Sequence, residues 1–129
     1  MGLWHLSLRL SLTHPTLLFL DTHYYGVFSQ DDVARSWDQQ VEAACARSLA
    51  LSSFDLWTVV GEWSTAFTDC AKYLNGRGLG SRYDGSYPGS YYIGTCSYFT
   101  GSGANFGSDY QAFLRRFWEA QVTCEFGGC

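Results

Sequence analysis

Residues Thr16 to Tyr25 read Thr-Leu-Leu-Phe-Leu-Asp-Thr-His-Tyr-Tyr, an unbroken apolar run that turns polar at its end. A strand buried on both faces reads this way, and in a parallel sheet its polar C-terminal end opens onto a site. Ser29-Gln-Asp-Asp32 then carries a helix-start signature. Val33, Trp37, Val41 and Ala44 follow at helical spacing, so one helix running to about Leu49 is predicted. After a loop around Ser52 to Asp55, Leu56-Trp-Thr-Val-Val-Gly-Glu62 reads as a second buried strand. Strand, helix, strand over this span is a parallel crossover unit.

From Ser64 to Gly107 the pattern dissolves into Gly, Ser, Tyr and Asn. Loops beyond ~15 residues usually have a job, so this is a functional excursion rather than a linker. Periodicity returns at Ser108-Asp-Tyr-Gln111, a second capping-box pattern. Tyr110, Phe113, Leu114, Phe117, Gln121 and Cys124 continue one helical face, with Gly127 and Gly128 as its stop. Two strands and two helices cannot bury both faces of strands this apolar. The sheet is therefore expected to continue through elements outside this sequence, and the closed solution is a (β/α)8 TIM barrel of ~250 residues.

Composition narrows the chemistry. The 129 residues are 47% hydrophobic, 18% aromatic and only 16% charged, which is globular composition. A net charge of -4, from 8 Lys plus Arg against 12 Asp plus Glu, supplies no basic field for a nucleic acid. The 5 cysteines include no Cys-x-x-Cys pair and the 3 histidines show no ligand spacing, so no metal is expected and disulfides in an oxidising compartment are the better reading. An odd count leaves at least one thiol without a mate inside the chain.

The Leu-rich opening resembles a secretory leader, but it lacks a basic start and a small-residue cleavage site, and Arg9, His14 and Pro15 interrupt it. No stretch reaches the ~20 consecutive apolar residues of a membrane helix, so no membrane partner is expected. The Gly-rich pieces Gly76–Gly80 and Gly101–Gly107 do not match Gly-x-Gly-x-x-Gly and follow no strand, and no Gly-x-Ser-x-Gly elbow occurs; no cofactor is called for.

Glu62 stands at the C-terminal end of a predicted strand, where barrel enzymes carry catalytic groups. An exposed strand-end Glu paired with Arg77 or Arg82 fits that position equally well. Gly61 allows close backbone approach, and Trp63 beside the carboxylate would desolvate it, which favours function. His23 and Tyr25, two apart, share a strand face, and a Tyr hydroxyl on a carboxylate would hold it ionised and oriented. The alternative is a hydrogen-bonded core His beside a half-buried Tyr. Phe28 and the excursion tyrosines, with Asn75, Arg77, Arg82 and Asp84 among them, suit carbohydrate, whose apolar face lies on aromatic rings.

Asp21–Ser29, the segment Val60-Gly-Glu-Trp-Ser-Thr-Ala-Phe-Thr-Asp-Cys-Ala-Lys-Tyr-Leu-Asn75, Tyr92-Ile-Gly-Thr-Cys96 and Phe117-Trp-Glu-Ala-Gln121 together resemble fungal exo-β-1,3-glucanases, the glucan 1,3-β-glucosidases of glycoside hydrolase family 5. The resemblance runs from Leu18 to Thr123 in one order. It implies a partial (β/α)8 barrel: residues 16–129 would supply the sixth and seventh strands, the long loop after the seventh, and the next helix, with residues 1–15 unassigned. Glu62 would be the nucleophile, His23 and Tyr25 the sixth-strand pair flanking it, and Phe28 the aromatic gripping sugar. Trp63 and Asn75 join the substrate side as motif context. The resemblance also implies a Cys70–Cys96 disulfide, a Cys45 partner lying beyond the end of this chain, a β-glucan substrate cleaved with retention, a monomer, and an extracellular or cell-wall location.

Two departures bear on activity. The family's acid/base Glu sits in an Asn-Glu-Pro segment and no such segment occurs here; Glu42, Glu119 and Glu125 fall on or after predicted helices and are no substitute. A Trp-rich eighth strand is likewise missing. The expectation is a catalytically incomplete glucosidase, with a non-catalytic glucan-binding remnant or a non-functional piece as the alternatives.

Overall fold

The computed structural model describes residues 6–10 and 18–124. In chain order these form β1 (Leu6–Leu10), β2 (Leu18–Tyr24), α1 (Gln30–Ala34), α2 (Trp37–Leu51), β3 (Trp57–Trp63), two single 3-10 turns (Cys96–Tyr98 and Gly103–Asn105) and α3 (Ser108–Cys124). The three strands make one sheet in the order β1-β2-β3, with β2 and β3 parallel and β1 antiparallel to β2. β1 lies inside the segment left unassigned above. Its sequence, Leu-Ser-Leu-Arg-Leu, alternates apolar and polar with the period of a strand, a signal too short to stand out in the Leu-rich opening.

The single helix expected from Ser29 to Leu49 is instead two. Ser29 caps α1 by accepting from the Asp32 N–H at 3.0 Å. Arg35 then turns extended and Ser36 opens a second helix with a complete capping box: the Gln39 N–H donates to Ser36 Oγ, and the Ser36 N–H donates to Gln39 Oε1 at 2.8 Å. The Gln40 amide clasps the pieces by donating to the Asp32 carbonyl. The box expected at Ser108 does not form, because the Gln111 amide reaches back to the Phe106 carbonyl at 2.7 Å. The helix stop expected at Gly127 and Gly128 lies outside the described residues.

Burial along β2 alternates, with Leu20 and Thr22 buried and Phe19, Asp21 and His23 half-buried. Helices cover the Leu20 side, where the Arg47 guanidinium lies 3.4 Å from the Tyr24 ring centroid. The other side is open, with Trp57 82% and Val59 48% exposed on β3. One sheet face thus carries the layer contact and the other presents side chains to the site.

The core sits between α2, α3 and the excursion. Phe67 is its centre: buried, it meets Trp37 of α2, Tyr110 and Phe113 of α3, and Tyr83 and Phe99 of the excursion, all within ring-centroid distances of 4.9–6.1 Å. Trp37 stacks on Phe113 at 4.9 Å. Pairs of this geometry add ~0.5–1.5 kcal/mol beyond their buried area. A disulfide joins Cys45 to Cys124, α2 to α3, with Cα atoms 5.1 Å apart. This corrects the expectation that the mate of Cys45 lies beyond this chain: the two helices pack side by side and bring Cys45 against the last turn of α3. The Ser48 hydroxyl donates to the Cys124 carbonyl at the same junction.

Candidate active site

Side chains at the ends of β2 and β3 converge on Glu62. The Tyr25 hydroxyl donates to Glu62 Oε2 at 2.9 Å, and His23 Nδ1 stands 3.5 Å from the same oxygen. On the far side of the ring, His23 Nε2 is 3.8 Å from Asp21 Oδ2. Glu62 raises the Tyr25 phenol above its ordinary value, chiefly through the hydrogen bond the phenol donates, with desolvation and the carboxylate's charge adding to it. Phe28 packs edge-on to Tyr25, centroids 6.1 Å apart, and is 39% exposed.

A break in strand register places Glu62 there. Thr22 pairs with Val60 but His23 pairs with Glu62, leaving Gly61 as an extra residue in β3. The alternation of β3, with Trp57 and Val59 exposed and Thr58 and Val60 half-buried, slips by one at Gly61, so Glu62 is exposed and Trp63 half-buried. Had the alternation continued, Glu62 would share a face with Val60 and point toward the helices. The bulge turns it onto the open face with His23.

The same slip defeats the expectation that Trp63 covers the carboxylate. Trp63 pairs with Tyr24 on the helix side and lines a cavity of about 640 Å³ with Leu51, Val60 and Gln121, while the Glu62 side chain is 57% exposed. Among the described residues Glu62 contacts Tyr25 and His23 and pairs with neither Arg77 nor Arg82. Arg82 is bound to Asp69 and lies over the Tyr87 ring at 4.0 Å.

The excursion is organised by Asp69, whose side chain is fully buried. Its Oδ1 accepts from the Ser81 hydroxyl at 2.6 Å and the Tyr83 N–H at 3.1 Å; its Oδ2 accepts from Asn75 Nδ2 and the Arg82 N–H, both at 2.8 Å, and from the Arg82 guanidinium at 3.2 Å. Burial pushes this carboxyl up, but the bonds from Ser81, Arg82, Asn75 and Tyr83 together outweigh it and hold Asp69 below the usual carboxylate value. Asn75 is used within this cluster, donating also to the Gly80 carbonyl and accepting from Arg82. The Cys70–Cys96 disulfide closes the loop, with Cα atoms 5.3 Å apart.

Sequence reasoning missed Asp21, although the period of two that pairs His23 with Tyr25 also puts Asp21 on their face. It missed the bulge as well, and only the glycine at 61 hinted at it. Among the described residues no group of His, Cys, Asp or Glu is arranged to hold a metal ion, and no helix is long and apolar enough to cross a membrane.

The fold and site define an α/β protein with a strand-end carboxylate held by a phenol and flanked by an imidazole. No protein-family model matches the chain. It is, however, 51% identical over 81 residues to the glucan 1,3-beta-glucosidase of Lachancea kluyveri, covering 60% of this chain and 18% of that protein. The probable glucan 1,3-beta-glucosidase A of Aspergillus niger is 45% identical over 105 residues, covering 80% of this chain and 25% of that protein. The Schwanniomyces occidentalis glucan 1,3-beta-glucosidase is 38% identical over 122 residues, 95% of this chain and 28% of that protein. The chain is a relative of the fungal glucan 1,3-beta-glucosidases and spans 18–28% of the length of the relatives it matches.

Proposed function

We propose that this chain carries the nucleophile half of a retaining β-1,3-glucosidase site, on two strands of an incomplete (β/α)8 barrel. The observation that carries this reading is the hydrogen bond from Tyr25 to Glu62 beside His23, on a sheet face left open by the bulge. A carboxylate that attacks an anomeric carbon must be ionised, oriented and accessible; Tyr25 orients Glu62, and the open face gives it access to substrate. Phe28, next to Tyr25 and part-exposed, is placed to take the apolar face of a sugar ring.

In retaining hydrolysis Glu62 forms a bond to the anomeric carbon as the glycosidic bond breaks, and a second carboxylate ~5 Å away protonates the leaving oxygen and then activates water. The sequence has no Asn-Glu-Pro segment to supply that acid. The chain by itself is therefore catalytically incomplete toward polysaccharide, since losing a general acid costs ~10²–10⁴-fold. Two disulfides suit an oxidising, extracellular setting.

The leaving group separates the two roles. A 2,4-dinitrophenyl β-glucoside needs no acid to depart, so the full chain is expected to release dinitrophenol slowly and to lose that activity in Glu62→Gln, while releasing no glucose from laminarin. Equal rates for the two chains on the activated glucoside would sink the nucleophile assignment. Laminarin turnover comparable to an intact glucosidase would sink the incomplete-site reading.

A further inference from the structure

We propose that Asp21 is a positioning residue of this site: its carboxylate, seated in the space left by the absent side chain of Gly61, holds the His23 ring beside Glu62. Its catalytic consequence rests on the reading of Glu62 as nucleophile, whereas the placement itself rests on geometry. His23 is bracketed by two carboxylates, with Nε2 3.8 Å from Asp21 and Nδ1 3.5 Å from Glu62. Both separations exceed a hydrogen bond, so the ring is held by its placement between the two carboxylates rather than by directional bonds. The position of Asp21 therefore sets the position of the ring.

Two observations describe the seat of Asp21. Its side chain is only 18% exposed, and Oδ1 is buried with no hydrogen-bond partner. A buried acceptor left unsatisfied costs free energy and calls for a reason. The second is the neighbouring glycine. A Cβ built at position 61 would lie 2.5 Å from Asp21 Oδ1. The backbone there is not in the left-handed region, unlike Gly76, Gly78, Gly85, Gly89 and Gly101, so an L-residue is not excluded by φ. What a side chain at 61 would meet is the Asp21 carboxylate, which would have to move aside. The bulge glycine and the aspartate on the adjoining strand form one device, which turns Glu62 onto the open face and fixes the imidazole next to it.

The test uses the full chain with isotope-labelled histidine, the His23 ring signals being assigned by their loss in His23→Gln. Asp21→Asn keeps the shape and removes the charge; it is expected to displace the His23 ring nitrogen signals while the amide signals of α2 and α3 stay in place. Gly61→Ala is expected to displace the same signals by pushing the carboxylate aside, and to add nothing when introduced into Asp21→Ala. The non-additivity reports the contact between positions 21 and 61, and the isosteric Asp21→Asn separates the roles, because a residue that merely filled space would leave the His23 signals unmoved there. His23 signals in Asp21→Asn that coincide with those of the unaltered chain overturn the proposal. So does a full additional effect of Gly61→Ala on Asp21→Ala, or a failure of the isosteric Asp21→Asn to fold. If Gly61→Ala does not fold alone, the double variant decides: folding supports the coupling, and unfolding refutes it. Failure of the glucosidase reading looks different, as loss of Glu62-dependent glucoside cleavage with the His23 displacements intact.

Discussion

Tyr25 and Glu62, 37 positions apart in the chain, are joined by a 2.9 Å hydrogen bond at the ends of neighbouring parallel strands. The phenol donates, so its own proton is harder to remove, and Tyr25 ionises above its ordinary value. Glu62→Gln removes the charge, and the Tyr25 ring carbon signal, followed through an alkaline titration, is expected to move to lower pH. Tyr25→Phe frees the carboxylate to rotate. Because Glu62 is more than half exposed, water replaces much of the lost bond, and the loss is about 0.5–1 kcal/mol, a roughly two- to fivefold slower release from an activated glucoside. A Tyr25 titration unchanged in Glu62→Gln would count against the bond in solution.

Asp69 makes the excursion sensitive to acid. Its folded value is depressed, so the stabilisation it contributes is complete above the ordinary aspartate value near ~4 and is lost as pH falls through the lower folded value. Amide exchange of Tyr83 and Arg82, whose N–H groups both donate to Asp69, is expected to quicken over that acid window. Asp69→Ala strands the Ser81, Tyr83 and Arg82 donors and is expected to cost on the order of 3 kcal/mol, read as a lowered urea midpoint.

How far the chain was legible follows from which signals are local. The β2 and β3 runs, the α3 face through Phe113 and Phe117, and the shared face of His23 and Tyr25 come from periodicity, whereas the placing of Glu62 beside them does not, since unbroken alternation would turn it toward the helices. The break between α1 and α2 was hidden because Val33 and Trp37 fit one helical period, while Ser36, the residue that starts the second helix, looks like an ordinary polar position. The bulge was hidden for a different reason. A register shift is a property of two strands together, and no pattern within β3 alone states that Gly61 has no partner. Cys45 and Cys124 are 79 residues apart, and only the packing of α2 on α3 pairs them.

That pairing carries a testable cost. In the chain-entropy account, a cross-link spanning 79 residues removes about 4.5 kcal/mol of unfolded-state freedom, against about 3.5 kcal/mol for the 26-residue span of Cys70–Cys96. Cys45→Ala with Cys124→Ala is expected to lower the thermal midpoint further than Cys70→Ala with Cys96→Ala. The second pair should instead loosen the excursion locally, read as faster amide exchange around Ser81, whose hydroxyl lies 3.4 Å from Cys96 Sγ. Identical exchange patterns in the two double variants would contradict this division of labour.

Phe67 is where the excursion is fastened to the helices. It is buried among Trp37, Tyr83, Phe99, Tyr110 and Phe113, so truncation to Ala removes a large ring from a site whose neighbours come from three separate segments and cannot all move in. The expected loss is about 3–5 kcal/mol, a large part of the stability a domain of this size possesses. Phe67→Leu keeps apolar volume but gives up the edge-to-face pairs, and should cost less than half as much. Tyr25 and Glu62 belong to the sheet rather than to this cluster. Under conditions where Phe67→Leu is still folded, the Tyr25 titration should match that of the unaltered chain, and a shifted titration would show that the aromatic core and the strand-end site are coupled.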